Sequence, residues 1–313
     1  MNRFLWLVRR ELWESRAAWV VPASLAAIII GGLLIGSLVH GALMVDFDHG
    51  PSLAEIEAKL TPARIEALAS LARGVIAVLF LIAALFTQFF YTLDALYSER
   101  RDRSILFWKS LPVSDAATVL AKLSVAALAI PLAAAACALV TQLAVFAILS
   151  VKLAAIAPLA GHFWSPGGWA GSLLVLLYLL LAGTLWYLPL LGWLLLVSAW
   201  ARRSPLMWAA LAPCALALAE YIVLHTGRVW QVITARAGFS AFVSRAFDGL
   251  RGSRMVIFDS GPQDVALSGA SSLVDLMRPA QFFASPEVWV GVAAGIGLIA
   301  ATIWMRRYSD ASN

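Results

Sequence analysis

Apolar runs long enough to cross a bilayer recur along this chain, near residues 17–40, 72–96, 117–150, 171–200, 206–225 and 286–305. A spanning helix needs about 20 mostly apolar residues. In lipid the backbone has no water to bond with, so such runs must satisfy their own amides as helices. Composition points the same way: 62% of residues are hydrophobic and only 13% charged, where ordinary globular chains carry roughly a quarter charged. The expected fold is an all-α polytopic membrane protein, with six transmembrane helices in a single transmembrane domain over 1–313. The third and fourth runs exceed what a bilayer requires and should tilt, kink or project beyond it. Pro131 and Pro189 are the expected kink sites, because an interior proline removes a backbone hydrogen bond.

Basic residues in the flanks predict the orientation. With the N-terminus inside, 13 of the 23 Lys and Arg fall on the cytoplasmic side, against 7 of the 18 Asp and Glu. The short loops agree, giving N-in and C-in, as a multi-pass protein of the cell inner (plasma) membrane. The formal charge of +5 is thus a topology signal, and no nucleic-acid partner is expected. Residues 1–16 form a separate element, with Met1, Phe4, Leu5, Val8 and Leu12 on one helical face and Arg3, Arg9, Arg10 and Glu14 facing away. Trp6 and Trp13 flank the stripe, as for a helix lying on membrane lipid at the inner leaflet. Glu11 and Glu14, and the length of the following apolar run, argue against a cleavable signal. Cys137 and Cys214 both fall inside apolar runs and are expected to be free, buried thiols.

The expected outer-side loops are 41–70 and 226–285. In the first, Ser52-Leu53-Ala54-Glu55 reads as a capping box for a short helix over 52–60, and Thr61-Pro62 as a start that runs into the second span. In the second, Phe239, Phe242, Val243, Ala246, Phe247 and Leu250 keep helical spacing, opposite Arg236, Ser240, Ser244, Arg245 and Asp248.

Several chemistries find no support. The four lysines (Lys59, Lys109, Lys122, Lys152) lack the glycines of a phosphate-binding P-loop, so the chain is not expected to bind ATP that way. Nucleophile-elbow and zinc-protease motifs are absent from the sequence. His40, Asp46, Asp48 and His49 fall within ten residues, a clustering that chance produces easily, and no metal site is assigned. Polar groups at membrane depth are costly and therefore informative. Glu220, in the outer part of the fifth run, and Gln88 and Thr87 in the second are candidates to line a translocation path. Glu220 equally fits the headgroup boundary. Gln88, Thr87, Thr141, Gln142 and Thr184 equally fit hydrogen bonds between helices. Asp94 is expected to pair with Arg100, Arg101 or the N-terminal helix.

The charged island at 97–115 is unusual for a loop between spans. Arg100, Arg101, Arg103, Lys109 and Lys122 surround the apolar block Ile105-Leu106-Phe107-Trp108. Asp102 or Ser104 can cap a short helix that Leu111-Pro112 ends, and Ser114-Asp115 then caps the third span. The result is a stiff strut presenting Phe107 and Trp108 to a soluble partner, or else dipping them into the headgroups.

Glu99, Arg100, Asp102, Ser104, Ile105, Leu106, Leu111, Pro112, Val113, Ser114 and Lys122 match the pattern of this region in the permease subunits of ABC-2 type transporters, with Arg103 where that family usually has glycine. The chain resembles that family in architecture too. The resemblance implies that 98–114 is a coupling helix seated in a separate ATP-binding cassette ATPase subunit, with Glu99, Asp102, Ser104, Ile105, Leu106, Phe107, Trp108, Leu111 and Pro112 as ATPase-coupling residues. It implies an exporter built on two permeases, here a homodimer with spans two and five at the central interface. ATP and Mg would bind on the partner, leaving this chain without a cofactor and without catalysis of its own. Two other classes stay open: a non-transporting subunit that uses a partner ATPase to act on an outer-side protein, and an intramembrane enzyme.

Overall fold

The computed structural model describes residues 3–39, 62–102, 113–152, 161–247 and 274–308. Among these residues the regular elements are helices, and β pairing is limited to one bridge between Phe247 and Met277. Helix α1 (Arg3–Glu14) precedes α2 (Ala17–Val39), and α3 (Pro62–Asp94) leads through a turn into the short α4 (Tyr97–Arg101). The third span begins with α5 (Asp115–Ser124), passes a π-helical turn at Val125–Ala129 and continues as α6 (Ile130–Lys152). After a 3₁₀ turn at Gly161–Trp164 come α7 (Pro166–Trp200) and α8 (Pro205–Leu224). The short helices α9 (Arg228–Ala237), α10 (Phe239–Ala246) and α11 (Pro279–Ala284) precede α12 (Pro286–Tyr308).

Six helical stretches are long and apolar enough to cross a membrane, and the third and fourth are 38 and 35 residues long. The chain is thus a helical protein of multi-pass type. Pro62 is helical, as expected, and Thr61 lies outside the described residues; Ser114 caps α5 by accepting from Ala117 N at 3.2 Å. The helix expected over 52–60 lies outside the described residues.

Helix α7 is central, packed against α12 on one side and α3 on the other, while α6 packs on α3 and α2. Small residues make these approaches close: Ala77, Ala84, Ala126, Ala134, Ala138 and Ala182 are all buried, as expected where packing rather than hydrophobicity holds helices together in lipid. Glycines let α7 and α12 approach closely. A Cβ on Gly192 would lie 3.0 Å from Gly295 O, and one on Gly295 would lie 3.0 Å from Pro189 N. By contrast α8 buries only Ala217. Its Cys214 is exposed, contrary to the buried thiol expected, because an apolar run does not say which face meets protein.

Proline acts one turn away from where it stands. Pro131 cannot donate a backbone hydrogen bond, and its ring would crowd the carbonyl of Ala127; the helix widens into the π turn just before it. The loosened carbonyls are met from neighbouring spans. Gln88 Nε2 donates to Ala126 O at 2.7 Å, and Thr184 Oγ1 donates to Ala127 O at 2.9 Å. One break in α5–α6 thereby cross-links three spans.

At the end of the bundle away from α1, the short helices close over α7. Phe242 is fully buried among Trp186, Tyr187 and Phe282, and Tyr178 Oη donates to Ala246 O at 3.0 Å. The apolar side of α10 is the one its spacing predicted, with Ser240 and Arg245 exposed. Arg236 stacks on Trp186, 4.4 Å from the ring centroid, and reaches Glu287 O. Burial pulls its guanidinium below the usual range, with Glu287 acting against that.

Candidate functional site

The residues around the 97–115 island meet in a buried cluster of charge. Glu11 of α1, Glu99 of α4, Lys122 of α5 and Arg306 of α12 are 4%, 6%, 3% and 5% exposed. Lys122 Nζ donates to Glu11 Oε1 and Oε2 at 3.0 and 2.9 Å and lies 3.0 Å from Glu99 Oε1. Arg306 Nη1 donates to Glu99 Oε2 at 2.9 Å, and its Nε donates to Asp115 Oδ1 at 3.1 Å. Tyr91 Oη donates to Glu11 Oε2 at 3.4 Å, and Arg10 approaches Glu11 at 3.8 Å.

The order Glu11–Lys122–Glu99–Arg306–Asp115 alternates in sign, so each cation lies between two carboxylates. Alternation is what burial demands. An ion taken out of water loses its hydration, and only well-placed opposite charge repays that loss. Removing a single member leaves its neighbours unbalanced in a low-dielectric setting, so the cluster holds or fails together.

A second set of bonds locks the same corner to α7. Ser198 Oγ accepts from Leu96 N and Tyr97 N, each at 3.0 Å, meeting amides that the start of α4 leaves free. Arg100 Nη2 donates to Ser198 O at 2.5 Å and Ala201 O at 2.9 Å, where a cation suits the carbonyl-rich helix end. The chain entering the 103–112 segment is therefore bonded to α5, α7 and α12, and through Lys122 to α1. No protein-family model, curated protein or solved structure matches this chain.

Of the expected coupling residues, Glu99 is at the centre of the cluster. Asp102 is exposed and accepts from Arg101 Nε at 3.1 Å. Ser104, Ile105, Leu106, Phe107, Trp108, Leu111 and Pro112 lie outside the described residues. Asp94 is exposed and makes none of the expected ion pairs among the described residues; Arg101 turns to Asp102, and Arg100 to the carbonyls of α7.

The path candidates take bonding roles. Gln88 is buried and bonded to the π turn, while Thr87 Oγ1 donates to Ala83 O within its own helix at 2.8 Å. Glu220 accepts from Thr226 Oγ1 at 2.6 Å, Arg228 N at 3.1 Å and Val229 N at 2.7 Å. Its carboxylate thus caps the first turn of α9, where negative charge is favoured. Gln142 likewise ties spans together, donating to Arg73 O at 2.9 Å and accepting from Ser172 Oγ at 2.8 Å.

Sequence reasoning missed Glu11 as a buried partner, and it valued Lys122, Arg306 and Asp115 only for topology, motif or capping. The expected stripe of α1 and its flanking indoles stay partly open, and a neighbouring edge of the helix meets the bundle. Leu7 and Glu11 are buried, whereas Leu5, Trp6 and Trp13 are exposed. A signal was present: Glu11 stands four residues after Leu7, on the same side of the helix.

Proposed function

We propose that this chain is the membrane-spanning permease subunit of an ABC-2 type transporter. It works as a homodimer in the inner (plasma) membrane, with both termini on the cytoplasmic side, and exports a substrate using ATP hydrolysed by a separate subunit. The observation that carries the reading is the fixed corner at Glu99. A helix pushed by a soluble partner moves spans only if its base cannot give way, and here that base is bonded to Lys122, Arg306 and Ser198.

Movement of 98–114 would then carry α1 and the inner ends of α3, α5, α7 and α12 together. Nucleotide-driven closure of the ATPase pair does work on the permease only through contacts that differ between its two states. The weak packing of α8 supports the dimer, since α8 keeps most of its surface free of its own chain. Substrate would pass between the two copies.

The test is affinity purification from the native membrane, comparing wild type with Phe107→Ala/Trp108→Ala. A nucleotide-binding subunit should accompany wild type and be lost from the variant. A variant that retains it, or a wild type that never captures one, contradicts the assignment.

A further inference from the structure

Arg73 lies in α3 far from the charge cluster, beside the first turn of α7, and is 3% exposed. The rings of Phe146 and Trp169 lie beside its guanidinium, 5.3 and 5.6 Å from their centroids and 5.9 Å from each other, so aromatic surface meets the cation on one side. The edges are not satisfied in the same way. Nη1 has no hydrogen-bond partner. Nη2 lies against Gly168, 2.6 Å from where a Cβ on that residue would stand.

Gly168 belongs to the first turn of the 35-residue helix α7, which Ser165 caps by accepting from Gly168 N at 3.2 Å. Pro166 has no amide hydrogen, so Gly167 carries an orphan donor of that turn. A Cβ on Gly167 would meet nothing within 4 Å. A cation thus faces the positive end of a long helix, and each raises the other's electrostatic cost. Glu66 offsets this only in part: its charge attracts Arg73, yet it is exposed, its Oε1 accepts from Ser165 Oγ at 3.0 Å, and no ion pair joins it to Arg73.

We propose that Arg73 and the first turn of α7 bind a phosphate oxyanion, with the Arg73 guanidinium edge and the Gly167 amide as donors. An anion there neutralises a buried cation and a helix terminus at once. The phosphate comes from a lipid headgroup at the membrane surface or from free inorganic phosphate. Glu66 opposes it by like charge and sets its affinity. This site is independent of the transport assignment.

The experiment uses the full chain, purified in phosphate-free detergent. Native mass spectrometry reads retention of dioleoyl phosphatidylglycerol against dioleoylglycerol, and thermal melting reads inorganic phosphate. Wild type should retain the phospholipid at least tenfold over the diacylglycerol, or melt higher with phosphate. The first result assigns the lipid headgroup as the source, and the second the free ion. Arg73→Gln should lose the response, and Glu66→Gln should strengthen it about threefold. Gly167→Asp places a carboxylate where the phosphate would sit; its side chain has room, so it should fold and bind roughly tenfold less. Should Arg73→Gln fail to fold, Gly167→Asp carries the test alone. No response in wild type, or a response that Gly167→Asp leaves unchanged, overturns the proposal.

Discussion

Lys122 Nζ lies 2.9 Å from Glu11 Oε2, across 111 residues of sequence, and both side chains are buried. The pair joins a helix that precedes every span to the first turns of the third. With Glu99 and Arg306 added, the region becomes a rigid block at the root of the 98–114 segment.

Lys122→Met leaves Glu11 and Glu99 as neighbouring buried carboxylates without the cation between them. Breaking one partner out of a buried ionic set costs roughly 3 kcal/mol or more. The variant should show a clearly lowered melting temperature in detergent. Adding Glu11→Gln should recover part of the loss, and the double-mutant cycle should give a coupling well above zero. Simple additivity would mean the two side chains act separately.

Gln88→Leu strands the Ala126 carbonyl at the π turn, whereas Thr87→Val breaks only a bond within its own helix. The first should cost about 1–2 kcal/mol and the second clearly less. Thermal unfolding of the two side by side checks the difference. Equal costs would remove the bridging role of Gln88.

Gly295→Leu drives a side chain into the backbone of α7, while nothing lies within 4 Å of a Cβ on Gly297. Overpacking costs about 1–3 kcal/mol. Gly295→Leu should lower the melting temperature or prevent assembly, and Gly297→Leu should be close to neutral. Detergent melting of both variants decides it.

Homodimerisation through α8 predicts oxidative cross-linking at its exposed face. In a Cys137→Ser background, Cys214 or cysteines placed at Leu211 and Leu218 should give a disulfide-linked dimer in membranes treated with copper phenanthroline. A face that stays monomeric at all three positions removes α8 from the interface.

Length and apolar patterning located the spans because lipid admits few alternatives, and local chemistry located the start at Asp115. Phe242 and Ala246 were legible for the same reason, since helical spacing reports the buried side of a short helix directly. The candidate site was legible only in part. Glu99 and Lys122 stood in a recognisable local pattern, but their meeting with Glu11 and Arg306 depends on how four helices pack, which no local spacing encodes. The edge of α1 that meets the bundle has the same origin. An amphipathic stripe identifies an apolar side, yet the bundle selected the edge that brings Glu11 onto Lys122. Gln88 and Thr184 read equally well as path-lining groups, because the decision lay in the register of α3 and α7 against the π turn.

The most direct test places a photo-cross-linking amino acid at Trp108 in the native membrane. The account predicts a covalent adduct with an ATP-binding cassette subunit, lost when Pro112→Ala alters the end of the strut. Adducts with lipid alone would contradict it, making Trp108 an interfacial anchor and leaving the cluster at Glu99 without a soluble partner to serve.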